Sequence, residues 1–222
     1  MKRLALIGAL YAGSAIAADG SPFSDRPLDF SLRVVDTELA LDYGGTNVDT
    51  TLQRISIGWR ERYGERLQLG LVGGPSYLTQ RNNAATAGLE LNGYHAAVSL
   101  DIGLYASPGA RVDFNATYLY QRVDHDNAGQ KVVIDWREPS AQLSAGAGLG
   151  AGLWVYAGAR YGRIDGEQRR SGVQNETRTI ARNAPAGALI GLELRLEHDG
   201  YIGLTGVSGV DRGVALYFGR RY

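Results

Sequence analysis

The feature that most constrains the fold is a two-residue alternation of apolar side chains. In residues 183–201 (NAPAGALIGLELRLEHDGY), every second residue from Ala184 to Leu196 is apolar, and Glu193 and Arg195 lie between them. Successive side chains of a β-strand point to opposite faces, so this stretch predicts a long strand with one apolar face. The same alternation recurs along most of the chain, which predicts an all-β protein.

The alternating runs and the turn residues between them indicate about ten strands. They are expected at residues 28–43, 51–61, 66–79, 88–105, 111–123, 131–149, 152–164, 177–197, 200–208 and 212–222. Many reach the roughly 9–11 residues that a tilted strand needs to cross a bilayer. The apolar parity reverses within three of them, at Val34/Val35, Asn92-Gly93 and Glu138-Pro139. Such a reversal predicts a β-bulge at each of these places.

The connections alternate in length. Residues 61–66, 106–110, 150–151 and 198–200 form short turns, whereas most of the other connections are longer and polar: GGTNVDT, TQRNNAATA, DHDNAGQ and IDGEQRRSGVQNE. Tight turns at one end and long loops at the other are typical of a closed antiparallel transmembrane up-and-down β-barrel. The apolar faces of such a barrel point outward into lipid. The sheet closes on itself because a sheet in hydrocarbon must leave no edge unpaired. The rival fold is a soluble β-sandwich, and eight is the alternative strand count.

The first residues have the composition of a secretory signal peptide. Lys2 and Arg3 precede an apolar run, and Ala15-Ile16-Ala17 supplies a small-residue cleavage site. We therefore expect a signal peptide at 1–17, a short periplasmic lead-in at 18–27 and one barrel domain at 28–222. The chain has no cysteine and balances 23 Lys and Arg against 23 Asp and Glu, so thiol chemistry is excluded and a nucleic-acid partner is not expected.

The signal peptide, the alternating strands and the ending GVALYFGRRY resemble small bacterial outer-membrane barrels of the OmpA, OmpX and opacity-protein class. The resemblance implies location in the bacterial outer membrane and a monomeric state. It also implies contact with membrane lipid and lipopolysaccharide, and insertion by the barrel-assembly machinery through the last strand. The residues similar to the C-terminal assembly signal of that class are Val214, Leu216, Phe218 and Tyr222. Arg220 departs from the pattern, because an apolar residue is expected there.

Charged residues of both signs are predicted to line the lumen. They are Asp36, Glu38, Arg54, Arg60, Asp101, Asp113, Arg160, Glu193 and Arg195. Opposite charges inside a narrow barrel pair with each other, which makes a structural polar plug. The same groups could instead line a narrow pore, and lumen-side glycines such as Gly191 would leave space for it.

The sequence contains three histidines that are candidates for catalysis. His125 lies in VDHD on an expected outer loop, and this motif resembles half of the paired Asp and His arrangement of the omptin proteases. The other loops contain no adjacent acidic pair to complete it. His95 shares a strand face with Ser99, four residues away, but no third partner is evident. No metal ligands cluster, so the sequence predicts neither a cofactor nor a metal.

The longest predicted outer loop carries four arginines, Arg163, Arg169, Arg170 and Arg178. Arginine pairs bidentately with phosphate, so these residues are candidate contacts for lipopolysaccharide or another ligand. The sequence thus predicts a non-enzymatic outer-membrane barrel with a structural or surface-binding role through its loops. A narrow channel for ions or small polar solutes is the alternative hypothesis, and a hydrolase around His125 is the second.

Overall fold

The computed structural model describes residues 27–127, 129–172, 175–182, 186–209 and 211–222. The predicted signal peptide and the lead-in, apart from Pro27, lie outside the described residues. In the described part of the chain no helix is long and apolar enough to cross a bilayer. Twelve strands are formed there: β1 Leu28–Tyr43, β2 Asn47–Tyr63, β3 Leu67–Arg81, β4 Glu90–Ser107, β5 Ala110–Asn127, β6 Gln130–Gly150, β7 Leu153–Gly162, β8 Asp165–Ser171, β9 Glu176–Arg182, β10 Ala186–Arg195, β11 Gly200–Gly209 and β12 Arg212–Arg221.

Ten of these strands close into a ring. The order is β1 to β7, then β10, β11 and β12, and β12 pairs with β1 from Asp29↔Arg221 to Glu38↔Arg212. Every neighbouring pair is antiparallel, and no edge of this ring is left open. The predicted all-β closed barrel of about ten strands is confirmed. We call this ten-strand part the lower ring.

The lower ring carries apolar side chains on its outside. On β10, Ile190 is 67% and Leu192 46% exposed, while Glu193 on the opposite face is buried. Ile57 and Val98 are likewise more than half exposed on other strands. An outward apolar face around a single closed sheet requires an apolar solvent, which a bilayer supplies. The fold is therefore a transmembrane barrel and not a sandwich.

The β8–β9 hairpin closes a second, smaller ring at the outer end. β8 pairs with the outer part of β6, from Lys131↔Ser171 to Arg137↔Asp165. β9 pairs with β1, from Leu41↔Arg182 to Tyr43↔Ile180. Eight strands, β1 to β6 with β8 and β9, therefore continue past the ends of the other four. We call the β8–β9 hairpin and the parts of β1 to β6 at residues 39–43, 47–52, 78–81, 90–93, 121–127 and 130–137 the crown.

The long outer loops predicted from the sequence are mostly strand, and this prediction is wrong. Segment IDGEQRRSGVQNE contains β8 and the first residue of β9, and GGTNVDT and DHDNAGQ extend the strands beside them. Among the described outer connections the longest is residues 82–89. The polar residues of these segments alternate with inward ones that the crown buries, so the backbone groups are satisfied by strand pairing and not by water.

Apolar side chains fill the crown. The buried cluster consists of Leu39, Leu41, Tyr43, Val48, Leu52, Leu78, Leu91, Val123, Val132, Ile134, Trp136, Ile164 and Ile180. Residues 82–89 cover its top: Asn83 Nδ2 donates to Gln80 Oε1 at 2.8 Å and to Gln168 Oε1 at 2.9 Å, and Thr86 Oγ1 donates to Gln80 Oε1 at 2.7 Å. Burial raises the pKa of the Tyr43 phenol, which therefore stays neutral. The crown is polar outside and apolar inside, the reverse of the lower ring.

This reversal explains the three parity changes in the sequence. Pairing is continuous through Val34/Val35, Asn92-Gly93 and Glu138-Pro139, so the predicted bulges are not formed there. The register shifts lie instead at Gly103/Tyr105 and Gly148/Gly150. Apolar residues change faces because each strand leaves lipid, where they point outward, and enters the crown, where they point inward.

Candidate functional site

The lumen of the lower ring contains most of the predicted charged residues. Inward-facing positions are occupied by Arg54, Arg60, Asp101, Asp113, Arg160, Glu193 and Arg195. These residues converge from strands that are far apart in the sequence. The lumen is therefore a densely charged space, and cavities of about 180 and 310 Å³ remain within it.

Asp36 and Glu38 do not belong to this set, and their predicted lumen position is wrong. The cavity wall is formed on β1 by Arg33, Val35 and Thr37, so the intervening residues point outward. At the outer surface Gln53 Nε2 donates to Asp36 Oδ2 at 3.3 Å. The error follows from the supposed bulge at Val34/Val35, because a one-residue shift would have exchanged the two faces of the strand.

The half of the lumen nearest the short turns holds a network of ion pairs. Arg60 lies 3.9 Å from Asp101 and 4.0 Å from Asp29, measured between nitrogen and carboxylate oxygen. Arg221 lies 3.4 Å from Glu193 and 3.9 Å from Asp29. A cavity of about 180 Å³ remains between these groups. Charges of both signs thus neutralise each other across the lumen.

Aromatic rings occupy the space that small residues leave. The guanidinium groups of Arg111 and Arg195 lie 5.3 and 5.1 Å from the Trp154 ring, which is 5% exposed. The Tyr156 ring covers Gly191, where a side chain would collide with it. Lumen-side glycines therefore accommodate large neighbours and do not widen a pore, contrary to the expectation that they leave free space.

Directly beneath the crown, one carboxylate is shared by three arginines. Glu138 Oε1 accepts hydrogen bonds from Arg160 at 2.7 Å and from Arg182 at 3.0 Å, and its Oε2 lies 3.5 Å from Arg54. Arg182 also lies 2.9 Å from Asp211 at the outer end of β12. Glu138 is 3% exposed. This cluster ties β2, β6, β7, β9 and the β11–β12 turn together where the ring narrows from ten strands to eight.

Sequence reasoning identified Arg54 and Arg160 but missed their partners. A bulge is predicted at Glu138-Pro139, whereas Trp136, Glu138 and Ser140 alternate without interruption on the inward face of β6. Arg182 lies in the predicted strand 177–197, which the structure divides into β9 and β10. A regular alternation through the Glu138-Pro139 step was the signal available for Glu138; nothing in the sequence pairs Arg182 with it.

A second cavity, of about 310 Å³, adjoins the Glu138 cluster and contains a histidine on its wall. His95 Nε2 lies 2.8 Å from Ser56 Oγ, and His95 Nδ1 lies 2.9 Å from Ser76 Oγ. Ser76 donates to Gln121 Oε1 at 3.3 Å, and Arg54 Nε donates to the same oxygen at 3.0 Å. The predicted neighbour Ser99 forms no hydrogen bond to any described residue. The hydrogen-bond partners of His95 come from β2 and β3, and Gln121 behind Ser76 is on β5, so none of them could be identified from local spacing.

Among the described residues, no aspartate side chain is hydrogen-bonded to His125. Its Nδ1 lies 2.9 Å from the Glu90 carbonyl oxygen on the neighbouring strand. Asp124 points to the other face of β5 and lies 3.7 Å from Lys131 Nζ. Adjacent residues of a strand cannot face each other, so the VDHD motif separates its acidic and basic groups once it is extended.

The four arginines proposed for phosphate contact lie in different surroundings. Arg169 forms ion pairs with Asp135 and with Glu167, and Arg178 donates to Glu176 at 2.7 Å. Arg170 is on the inward face of β8. Arg163 is exposed between β7 and β8, two residues after the outward Tyr161, and no described carboxylate lies within ion-pair distance of it. These residues therefore do not form one cluster.

The last strand presents its alternating apolar residues outward. Val214, Phe218 and Tyr222 are 52%, 39% and 52% exposed, and Leu216 shares their face. Arg220, the departure from the expected pattern, lies on the same face with its guanidinium 5.1 Å from the Tyr222 ring. The face of the strand is thus continuous with the lipid-facing surface of its neighbours.

Comparison with known proteins supports the fold alone. No protein-family model and no curated protein sequence matches the chain. Among solved structures, the chain is similar to the outer membrane protease OmpT of Escherichia coli, with a TM-score of 0.53 and 9% identity over 95% of this chain and 99% of that one. It is also similar to the outer membrane protein OprG of Pseudomonas aeruginosa, with a TM-score of 0.50 and 9% identity over 89% of this chain and 96% of that one.

Proposed function

We propose that this chain is a closed, monomeric barrel of the bacterial outer membrane that acts through the outer surface of its crown. The observation that carries the proposal is the apolar cluster inside the crown. Trp136, Leu41 and Ile134 are each at most 1% exposed, and they occupy the position where a channel would open to the outside. A packed apolar core excludes hydrated ions, because removing their hydration water costs much more free energy than contact with apolar side chains recovers.

The charged groups of the lumen support the same proposal. Arg60, Arg221 and Glu193 hold their partners across the lumen, and Trp154 is covered by two guanidinium groups at the end with the short turns. Barrels of about eight strands are filled by side chains, and open aqueous channels need about 16–18 strands. The polar outside of the crown is the part of the molecule left to meet a partner beyond the membrane.

Single-channel recording in planar bilayers tests this proposal. The wild-type barrel is expected to give no steady ohmic conductance, because the crown core closes the lumen. A steady conductance that Arg54→Ala or Glu193→Ala alters would support the alternative function, a narrow channel for ions or small polar solutes. A recording without conductance needs a control for insertion. Protection of the barrel from protease, in vesicles made of the same lipids, provides it.

The partner we propose for the outer boundary of the barrel is lipopolysaccharide, bound through its phosphates. Arg163 is the best placed of the four candidate arginines, because it is exposed close to the outward Tyr161 and has no described carboxylate beside it. Guanidinium groups bind phosphate bidentately. The other proposed partner is the barrel-assembly machinery, which would recognise the outward apolar face of β12.

Substitution of single arginines tests the phosphate contact. Arg163→Ala is expected to weaken retention of the folded barrel on immobilised lipopolysaccharide about two- to five-fold, in line with an exposed charge pair. Arg169→Ala is the matched control and is expected to have little effect, because Asp135 and Glu167 already neutralise Arg169. Equal retention of both variants and wild type at low salt would contradict the contact.

A further inference from the structure

We propose that Ser56 and His95 form a nucleophile and general-base pair that cleaves short-chain carboxylic esters inside the barrel. Both residues line the cavity of about 310 Å³ beneath the crown, and their Oγ and Nε2 atoms are 2.8 Å apart. This distance is within the range for proton transfer between a serine and a histidine. The activity is separate from the proposed surface role and does not depend on it.

The direction of each hydrogen bond around His95 follows from groups that have a fixed role. Arg54 can only donate, so the Gln121 atom that it contacts at 3.0 Å is the carbonyl oxygen Oε1. Gln121 Nε2 donates in turn to the Tyr94 carbonyl oxygen at 3.4 Å. Ser76 also contacts Gln121 Oε1, at 3.3 Å, and must donate its only proton there. Ser76 Oγ is therefore an acceptor towards His95.

This arrangement determines which ring nitrogen of His95 carries the proton. The Nδ1 atom donates to Ser76 Oγ at 2.9 Å, so in the neutral imidazole the Nε2 atom has the free lone pair. His95 is 2% exposed, and each of its ring nitrogens lies within hydrogen-bond distance of a serine hydroxyl. Ser56 then donates to Nε2, which is the hydrogen bond that a serine nucleophile makes to its base. Ser76 and Gln121 are positioning residues.

The same wall offers a group for the negative charge that develops during ester cleavage. Arg54 lies two residues before Ser56 on the inward face of β2. Its Nη2 atom is buried and makes no hydrogen bond to any described residue, the nearest oxygen of Glu138 being 3.5 Å away. A preorganised, buried donor of this kind stabilises a tetrahedral oxyanion.

The shape and lining of the cavity indicate the substrate class. Its volume corresponds to on the order of ten water molecules, which limits the acyl group to a few carbons. Leu52, Val72 and Leu119 give the wall apolar surface that suits an acyl chain, and Arg54 and Glu138 lie beside them and give it polar surface. A small carboxylic ester fits both kinds of surface.

The reaction is a two-step hydrolysis with water as the second substrate. Ser56 Oγ forms a bond to the carbonyl carbon while its proton moves to His95 Nε2; the bond to the alcohol oxygen breaks, and the alcohol leaves with that proton. Water then adds to the acyl group, and its proton passes through His95 back to Ser56 Oγ as the carboxylic acid is released. The net change is ester plus water to acid plus alcohol.

Labelling with a small alkyl fluorophosphonate tests the pair on the folded full-length barrel. Mass spectrometry is expected to find phosphonylation at Ser56, and p-nitrophenyl acetate is expected to be hydrolysed. Ser56→Ala should abolish both, and His95→Gln should slow labelling by about 10²-fold or more. Ser99→Ala, another inward serine on the wall of the same cavity, is the matched control and should label as wild type does. Heat-dependent gel migration verifies that each variant is folded.

Labelling that spares Ser56, or that is unchanged in folded His95→Gln, would overturn the proposal. If the variants do not fold, nitrogen-15 NMR of histidine side chains in the wild-type barrel still decides the point. The proposal requires a neutral His95 with its proton on Nδ1. A proton on Nε2 would rule out the Ser56 hydrogen bond and with it the reaction.

Discussion

Replacing Glu138 by Ala is expected to lower the free energy of unfolding by about 3–5 kcal/mol, the cost of removing one partner from a buried ion pair. The loss leaves Arg54 and Arg160 without their carboxylate in a buried part of the lumen, and it leaves Arg182 with Asp211 alone. Equilibrium unfolding in urea, followed by gel migration of the barrel reconstituted in phospholipid vesicles, measures the change.

Glu176→Ala is the matched control, because Glu176 also pairs with an arginine, at 2.7 Å from Arg178, but is 40% exposed. An exposed pair contributes about 0–1 kcal/mol, so the two variants should differ by several-fold in their effect. Comparable losses for both would show that the Glu138 cluster is not a buried, interdependent unit.

Trp136→Ala is expected to destabilise the barrel by about 3–5 kcal/mol, since it removes a large side chain from the middle of the crown core. Trp136 is 1% exposed and belongs to the buried cluster between the outer parts of the strands. Loosening the cluster should also make the crown strands accessible to protease, so limited proteolysis from the outside of intact vesicles is a second measurement.

Two neighbouring substitutions separate packing from other effects. Arg137→Ala changes the next residue on the same strand, whose side chain faces outward, and should alter stability by no more than about 0.5 kcal/mol. Trp136→Phe keeps an aromatic ring and removes an indole N–H that has no described hydrogen-bond partner, so it should cost much less than Trp136→Ala. A large loss of stability in Arg137→Ala would indicate that Arg137 is the packed residue, which would contradict the inward packing of Trp136.

The lower ring could be predicted from the sequence because its physical rule is uniform. Residues such as Ile190 and Leu192 point to lipid and Glu193 points to the lumen, so a simple alternation identifies both the strands and their faces. The short turns at one end and the ring of ten strands follow from the same reading. Hydrocarbon offers the backbone no hydrogen bonds, so these strands must close into a barrel.

The crown could not be predicted because a reversal of apolar parity has two physical origins. A bulge moves the side chains of a strand to the other face, whereas a change of surroundings moves the apolar residues without any change in the backbone. At Val34/Val35 the surroundings change and no bulge is formed. The prediction of a bulge there is what placed Asp36 and Glu38 in the lumen. Only the continuous pairing of β1 with β2 distinguishes the two.

The candidate site, like the fold, could be predicted from the sequence only in part. Arg54 could be assigned to the lumen from its own strand, but its partners Glu138 and Gln121 are on β6 and β5. The hydrogen bonds of His95 likewise join residues 19 and 39 positions away. Contacts of this kind are set by the closure of the ring, for which a single sequence contains no local signal.

A scan of single spin labels along β1 tests most directly that the barrel changes from apolar-outside to apolar-inside along its own length. The chain contains no cysteine, so each label can be placed through one introduced cysteine without background. Electron paramagnetic resonance then compares collisions with oxygen, which concentrates in lipid, and with a water-soluble nickel complex.

The structure predicts oxygen contact at Phe30 and Val34, nickel contact at Asp36 and Glu38, and contact with neither at Leu41. If oxygen contact continued through Asp36 and Glu38, or if the nickel complex reached Leu41, the strand would keep one kind of face throughout and the crown would not exist.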